Sequence, residues 1–209
     1  MRIVEGMPNY IRPKIPGSTV FFTVCLADRQ SDLLVAQIDI LREAVRVTRD
    51  RRPFAIDAWV VMPDHMHAVW TLPEGDTNYS DRWGAIKARF SKFVRMQAAQ
   101  DTVGCKPTLP GAPKRSGAGG SEIADRMVGF QPTEVARLQA RRSPSKVSKK
   151  EAGIWQRRFW DHHIRNAADY EAHVKYCLLN PVKHGLVERP EDWPFSSIHR
   201  DMRMGRWAA

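Results

Sequence analysis

The sequence predicts an α+β fold, an antiparallel sheet with helices packed on one of its faces. Three observations carry that expectation. Two apolar, β-branched segments flank a Pro63-Asp64 turn and read as a hairpin. Stretches on either side of that hairpin repeat apolar residues at helical spacing. The order along the chain is strand, helix, strand, strand, helix, a long insert, strand, helix, so the hairpin lies between two strand–helix units.

Each element has its own warrant. Thr19–Leu26 (TVFFTVCL) is rich in β-branched and aromatic residues and reads as a buried strand. Leu34, Ile38, Leu41 and Val45 fall at helical spacing, which predicts an amphipathic helix over about Ser31–Arg49. Phe54–Met62 (FAIDAWVVM) is a second strand and His65–Leu72 (HMHAVWTL) a third. Trp83, Ile86, Phe90 and Phe93 mark a second helix, decorated by Lys87, Arg89, Lys92 and Arg95. Ile154–Ile164 (IWQRRFWDHHI) alternates enough for a strand or hairpin. Ala167–Asn180 is a third helix, stopped near Pro181 because proline disfavours helical geometry at the residue before it.

The 209 residues are enough to bury a core in one domain over 1–209 without disulfides or metal. No apolar run approaches the roughly 20 residues of a membrane span, and no secretory leader is expected. Cys25, Cys105 and Cys177 are odd in number and lack a C-x-x-C spacing, which argues against a disulfide framework or thiolate zinc site and fits a reducing cytoplasm. The net charge of +10 favours a polyanion, most often nucleic acid, although a solvated basic surface has the same composition. The surplus is concentrated. Residues 101–150 hold ten basic and four acidic residues, with six Gly and five Pro. A flexible basic insert is therefore expected over 98–153, with one short helix around Pro132–Arg142. It is either a source of phosphate contacts or a tolerated insertion.

His65-Met66-His67 is the sharpest local motif. On a strand, residues i and i+2 share a face, so the two imidazoles converge and Met66 points the other way. They read either as a divalent-metal pair or as polar histidines on a half-exposed strand. On the third helix, Tyr176 and Asn180 share a face, as does His173. Asn180 offers an oxygen ligand and Tyr176 a nucleophile.

The segments VVMPDHMHAVWTLPEGD, SDRWGAIKARFSKFV, IWQRRFWDHHIRNAADYEAHVKYCLLNPVKHGLV and DWPFSSIHR closely resemble the REP-associated tyrosine transposases, bacterial relatives of the single-tyrosine HUH transposases. The resemblance covers about Thr19–Gln97 and Ile154–Arg200. It implies a ferredoxin-like antiparallel sheet. It implies that His65 and His67 bind a divalent cation completed by Asn180, and that Tyr176 is the nucleophile. The implied substrate is single-stranded DNA folded into palindromic hairpins, with a guanine-containing tetranucleotide at the hairpin foot. The implied intermediate is a 5′-phosphotyrosine with a free 3′-hydroxyl. Within the branch resembled, a monomer is expected rather than a dimer.

The chemistry is consistent with these residue types. A covalent step divides one hard displacement into two easier ones. A phenol with a pKa of about 10 must lose its proton, and a water, a metal field or His173 would help. Mixed N/O ligation suits Mn²⁺ and permits Mg²⁺. Candidate phosphate contacts are Lys87, Arg89, Lys92 and Arg95 on the second helix, then Arg157, Arg158 and His162, then Lys183 and His184. Trp155 and Trp160 are candidates for stacking on unpaired bases. Two other readings stay open. One is a hairpin-binding protein that retains the fold without catalysis. The other is an unrelated metal hydrolase using His65 and His67 with a carboxylate from Asp64 or Asp161.

Overall fold

The computed structural model describes residues 13–103 and 153–207. Most of the expected insert, including the helix around Pro132–Arg142, lies outside them. The described sheet has four antiparallel strands: β1 (Thr19–Cys25), β2 (Ala55–Val61), β3 (His65–Thr71) and β4 (Trp160–His163). Their spatial order is β2-β3-β1-β4. This is a split β-α-β arrangement, as in the ferredoxin-like sheet that the resemblance implies, with β3 inserted between the parallel-running β1 and β2.

Strand parity divides the apolar residues into two clusters. Val20, Phe22 and Val24 of β1 and Met66, Ala68 and Trp70 of β3 face one core. That core is closed by α1 (Leu33–Ala36), α2 (Ile38–Arg51) and α3 (Tyr79–Val103). Trp70 stacks on Trp83 of α3 with ring centroids 4.2 Å apart, and both are fully buried. Phe21, Val69, Ala58 and Val60 face the other way, onto Cys177, Val174 and Tyr170 of α4 (Ala167–Lys183). The helices thus cover both faces rather than one. The fourth helix carries an apolar stripe of its own, and the first core is already filled by α2 and α3.

Four local features differ from the sequence expectation. The first helix breaks at Gln37 (φ −116°, ψ 37°), dividing α1 from α2. Strand β2 contains a bulge at Asp57, where the register with β3 shifts between Ile56 and Ala58. The extra residue reverses the parity of β2, so Ile56 and Trp59 both reach the first core. The Ile154–Ile164 segment pairs only in part. Trp155 bridges Leu26 and Trp160 pairs with Thr23, so the longer path between them loops Arg157 and Arg158 outward.

Finally, α4 runs through Pro181 to Lys183. Proline in the last turn removes one N–H, and a Schellman closure supplies the stop. The Gly185 N–H donates to the Val182 carbonyl at 2.9 Å and the Leu186 N–H to Pro181 at 3.0 Å. Gly185 takes φ +67°, which a side chain would strain. Asn166 caps the other end by accepting from the Asp169 N–H at 2.9 Å.

The DWPFSSIHR segment is structural. The Val61 N–H donates to Phe195 and the Ser197 N–H to Trp59, which covers the exposed edge of β2. Arg200, in α5 (Ile198–Arg203), donates to the Ile56 and Asp57 carbonyls at the bulge.

Candidate active site

The face of the sheet under α4 carries the candidate site. The β1–β3 register sets Thr23 opposite His67 and Cys25 opposite His65. His65 and His67 point toward α4 and Met66 points into the opposite core, as the pleat requires. The two imidazole centroids are 5.0 Å apart. Tyr176 is half-exposed, and its ring lies 5.1 Å from His67, edge to face. Phe21 forms a common floor, 5.5 Å from His67 and 5.8 Å from Tyr176. Lys183 places its ammonium 5.0 Å from the Tyr176 ring centroid, within cation–π range. His184, just past the helix, stands 5.3 Å from His65.

Both imidazoles are held from behind. His65 Nδ1 lies 2.7 Å from Asp64 Oδ1, and Asp64 is itself paired with Arg29 at 2.7 Å. An ionised carboxylate only accepts, so Nδ1 carries the proton and Nε2 presents a lone pair. His67 Nδ1 lies 2.9 Å from the Thr23 hydroxyl. Imidazoles oriented this way by a carboxylate or hydroxyl are the usual support of metal-ligating histidines. Both Asp64 oxygens are thus engaged, one by the His65 ring and the other by Arg29. Asp161 accepts from the Tyr79 hydroxyl at 2.9 Å and is buried on the far face, away from both histidines.

The buried polar atoms fit a cation. His67 Nε2 and both amide atoms of Asn180 are buried with no hydrogen-bond partner among the described residues. Leaving such atoms unpaired costs roughly 1–3 kcal/mol each. Asn180 is 1% exposed and sits one turn after Tyr176 on the same helix. Together with the two imidazole nitrogens, its amide oxygen would make up an N/O set of the kind that suits a hard or borderline divalent ion.

Burial pushes the His67 imidazolium down to about 3, and the neighbouring His65 and His184 add like charge. Burial also lowers His65, partly opposed by Asp64. Both rings are thus neutral near pH 7, the form that ligates metal. The same shift links stability to pH. The unfolded chain binds the proton more tightly than the folded one, so His67 stabilises fully above about 6.5. That contribution is lost as pH falls from about 6.5 toward about 3. Thermal melts of chelator-treated protein are expected to show the wild type losing its margin over His67→Gln through that window. A constant margin would contradict the burial argument.

The remaining candidates are distributed unevenly. Lys183 and His184 stand beside the site. Arg157 and Arg158 are exposed on the loop before β4, and Trp160 is 55% exposed on the site's face. His162 is on that face too, but its Nε2 is engaged by Asp169 at 3.0 Å. Lys87, Arg89, Lys92 and Arg95 lie on α3, across the sheet from Tyr176. Lys87 donates to the Gln156 carbonyl and Arg89 to the Thr48 hydroxyl. Lys92 and Arg95 are exposed there. Trp155 is buried against Phe90 and donates to Ser91, so it is not a stacking surface. His173 turns its Nδ1 to Asp169 rather than to the phenol. Sequence reasoning did not assign Phe21, Thr23 or Arg29. Alternation along β1 marks Phe21 and Thr23 as sharing a face, but only the register brings that face to His67.

No helix among the described residues is long and apolar enough to cross a membrane. No family model matches the chain. The chain is 39% identical over 199 residues to the REP-associated tyrosine transposase of Escherichia coli (strain K12), covering 95% of this chain and 87% of that protein. It is 34% identical over 197 residues to a Haemophilus influenzae protein assigned to the same family, covering 94% and 89%. A solved structure of a REP-associated tyrosine transposase bound to a REP hairpin matches with a TM-score of 0.65 at 38% identity, covering 97% of this chain and 92% of that one.

Proposed function

The chain belongs to the REP-associated tyrosine transposases, and from that premise we propose that it is a metal-dependent single-stranded DNA endonuclease and strand-transferase acting on palindromic hairpins. The observation that carries the reading is the half-exposed Tyr176 phenol beside the paired imidazoles of His65 and His67. A relative has been solved with a REP hairpin bound, and the same class of ligand is proposed here.

In the proposed reaction the Tyr176 oxygen attacks the scissile phosphorus and loses its proton to water. The bond from phosphorus to the 3′-oxygen breaks, and that oxygen takes up a proton. The strand is left with a free 3′-hydroxyl on one side and a 5′-phosphotyrosine on the other. Attack by a 3′-hydroxyl reverses the sequence and rejoins DNA with no external energy source, because one phosphodiester replaces another. A divalent cation, Mg²⁺ or Mn²⁺, held by His65, His67 and Asn180 would neutralise charge on a non-bridging phosphate oxygen. The tyrosine and its imidazoles come from one chain, which supports action as a monomer.

The proposed strand path follows the α4 and β4 side. Lys183, Arg157 and Arg158 supply positive charge there, His184 adds an imidazole that can hydrogen-bond a phosphate, and Trp160 offers a ring for an unpaired base. Lys92 and Arg95 on α3 are proposed as phosphate contacts remote from the cut. Binding and cleavage of a hairpin with single-stranded flanks, compared with a fully paired duplex of the same sequence, test this reading. Cleavage confined to the hairpin is expected. Equal cutting of the duplex would contradict it.

A further inference from the structure

A second cluster of ligating groups lies one helical turn before Tyr176. His162 projects from β4, while Asp169 and His173 lie four residues apart on the first turns of α4. One ligand atom from each lies within 4.8 Å of the other two. His162 Nε2 is 3.0 Å from Asp169 Oδ2, and His173 Nδ1 is 3.0 Å from Asp169 Oδ1. The two imidazoles are stacked, with centroids 4.6 Å apart and planes 18° from parallel. We propose that His162, Asp169 and His173 form a second divalent-metal site, of the zinc class, that ties the start of α4 to the edge strand.

The donor set is two imidazole nitrogens and one carboxylate oxygen. That combination suits zinc, cobalt or nickel better than magnesium, which prefers oxygen ligands. Three protein ligands leave a position for water. A neutral imidazole carries its proton on either nitrogen. Moving it to the outer nitrogen of each ring exposes the inner lone pairs to a cation without moving the backbone. Asp169 also accepts the Arg165 N–H at 3.0 Å, which holds the carboxylate in place. The His173 Nδ1 also lies 2.8 Å from the Asp169 backbone carbonyl, a contact that this nitrogen gives up when it ligates.

The location gives the site a consequence. Phe21 touches His173 at 4.8 Å and His67 at 5.5 Å. An ion that fixes His162 to His173 therefore fixes the turn preceding Tyr176 and the floor shared with His67. The two sites use different residues, and this one does not depend on the role of Tyr176.

The test uses the full chain carrying His65→Ala and His67→Ala, which removes the imidazoles of the first site. It is titrated with Zn²⁺ and with Co²⁺ alone, and Co²⁺ is followed by its visible absorption. One ion per chain is expected. Adding His162→Gln or His173→Gln is expected to weaken binding by about tenfold or more. An absent ion in the parent variant, or binding unmoved by either glutamine, overturns the proposal. Should a variant fail to fold, the ring nitrogens of the unaltered protein give the answer by nitrogen NMR. Displacement of the His162 and His173 signals on adding Zn²⁺ is expected, and signals that stay in place mean an ordinary hydrogen-bonded cluster.

Discussion

Tyr176→Phe is expected to abolish strand cleavage while leaving hairpin binding within about twofold, because it removes one oxygen and retains the ring. The ring contacts with Phe21 and His67 and the Lys183 ammonium persist in the variant. Fold stability should hardly change, since the side chain is 39% exposed. The rate is expected to fall by on the order of 10³-fold or more, as for other enzymes stripped of their nucleophile. Cleavage of a labelled hairpin oligonucleotide and a binding titration on the same substrate separate the two effects. Cleavage at the wild-type rate would remove Tyr176 from the chemistry. A parallel loss of binding would show that the phenol mainly holds DNA.

His67→Ala is the second large effect. It removes a buried nitrogen that faces no protein partner among the described residues and leaves the Thr23 hydroxyl without its ring. Cleavage is expected to fall by on the order of 10²-fold or more, comparable with deleting one preorganised group that stabilises a transition state. Thr23→Val keeps the imidazole and loses only its support, so a smaller drop of about 10–100-fold is expected. The check is cleavage measured across a Mn²⁺ titration. Thr23→Val should recover at high metal and His67→Ala should not. Equal recovery of both would mean that His67 has no ligand role.

Much of this site was legible because it rests on local periodicity. A period of two places His65 and His67 on one face and Met66 on the other, whatever surrounds the strand. A spacing of four places Tyr176 and Asn180 on one helix face. Those patterns could not say that α4 crosses to the side of the sheet opposite α2 and α3. That choice depends on which core is already full, a tertiary fact. It separates the basic residues of α3 from Tyr176, although both helices carry positive charge. Nor could one strand reveal Thr23 as the partner of His67, since that pairing is a matter of register between β1 and β3.

Other differences have local causes. The bulge at Asp57 is held by the Thr71 hydroxyl and by Arg200, residues far away in sequence. The end of α4 was readable: Gly185 follows Lys183 and His184 and supplies the left-handed residue that closes a helix. Pro181 gave the louder signal, yet in the last turn it removes a single hydrogen bond. Trp155 and Trp160 looked alike in sequence as candidate stacking rings. The pairing of Trp155 with Leu26 buries the first, and edge position exposes the second.

The proposed function requires a covalent bond between this protein and DNA. The most direct measurement is denaturing electrophoresis of the protein mixed with a 5′-extended hairpin and Mn²⁺, followed by peptide mass spectrometry of any shifted band. A DNA-linked species carrying its phosphate on Tyr176 is the expected result. Cleaved DNA with no protein attached, or an adduct on another residue, would contradict the account.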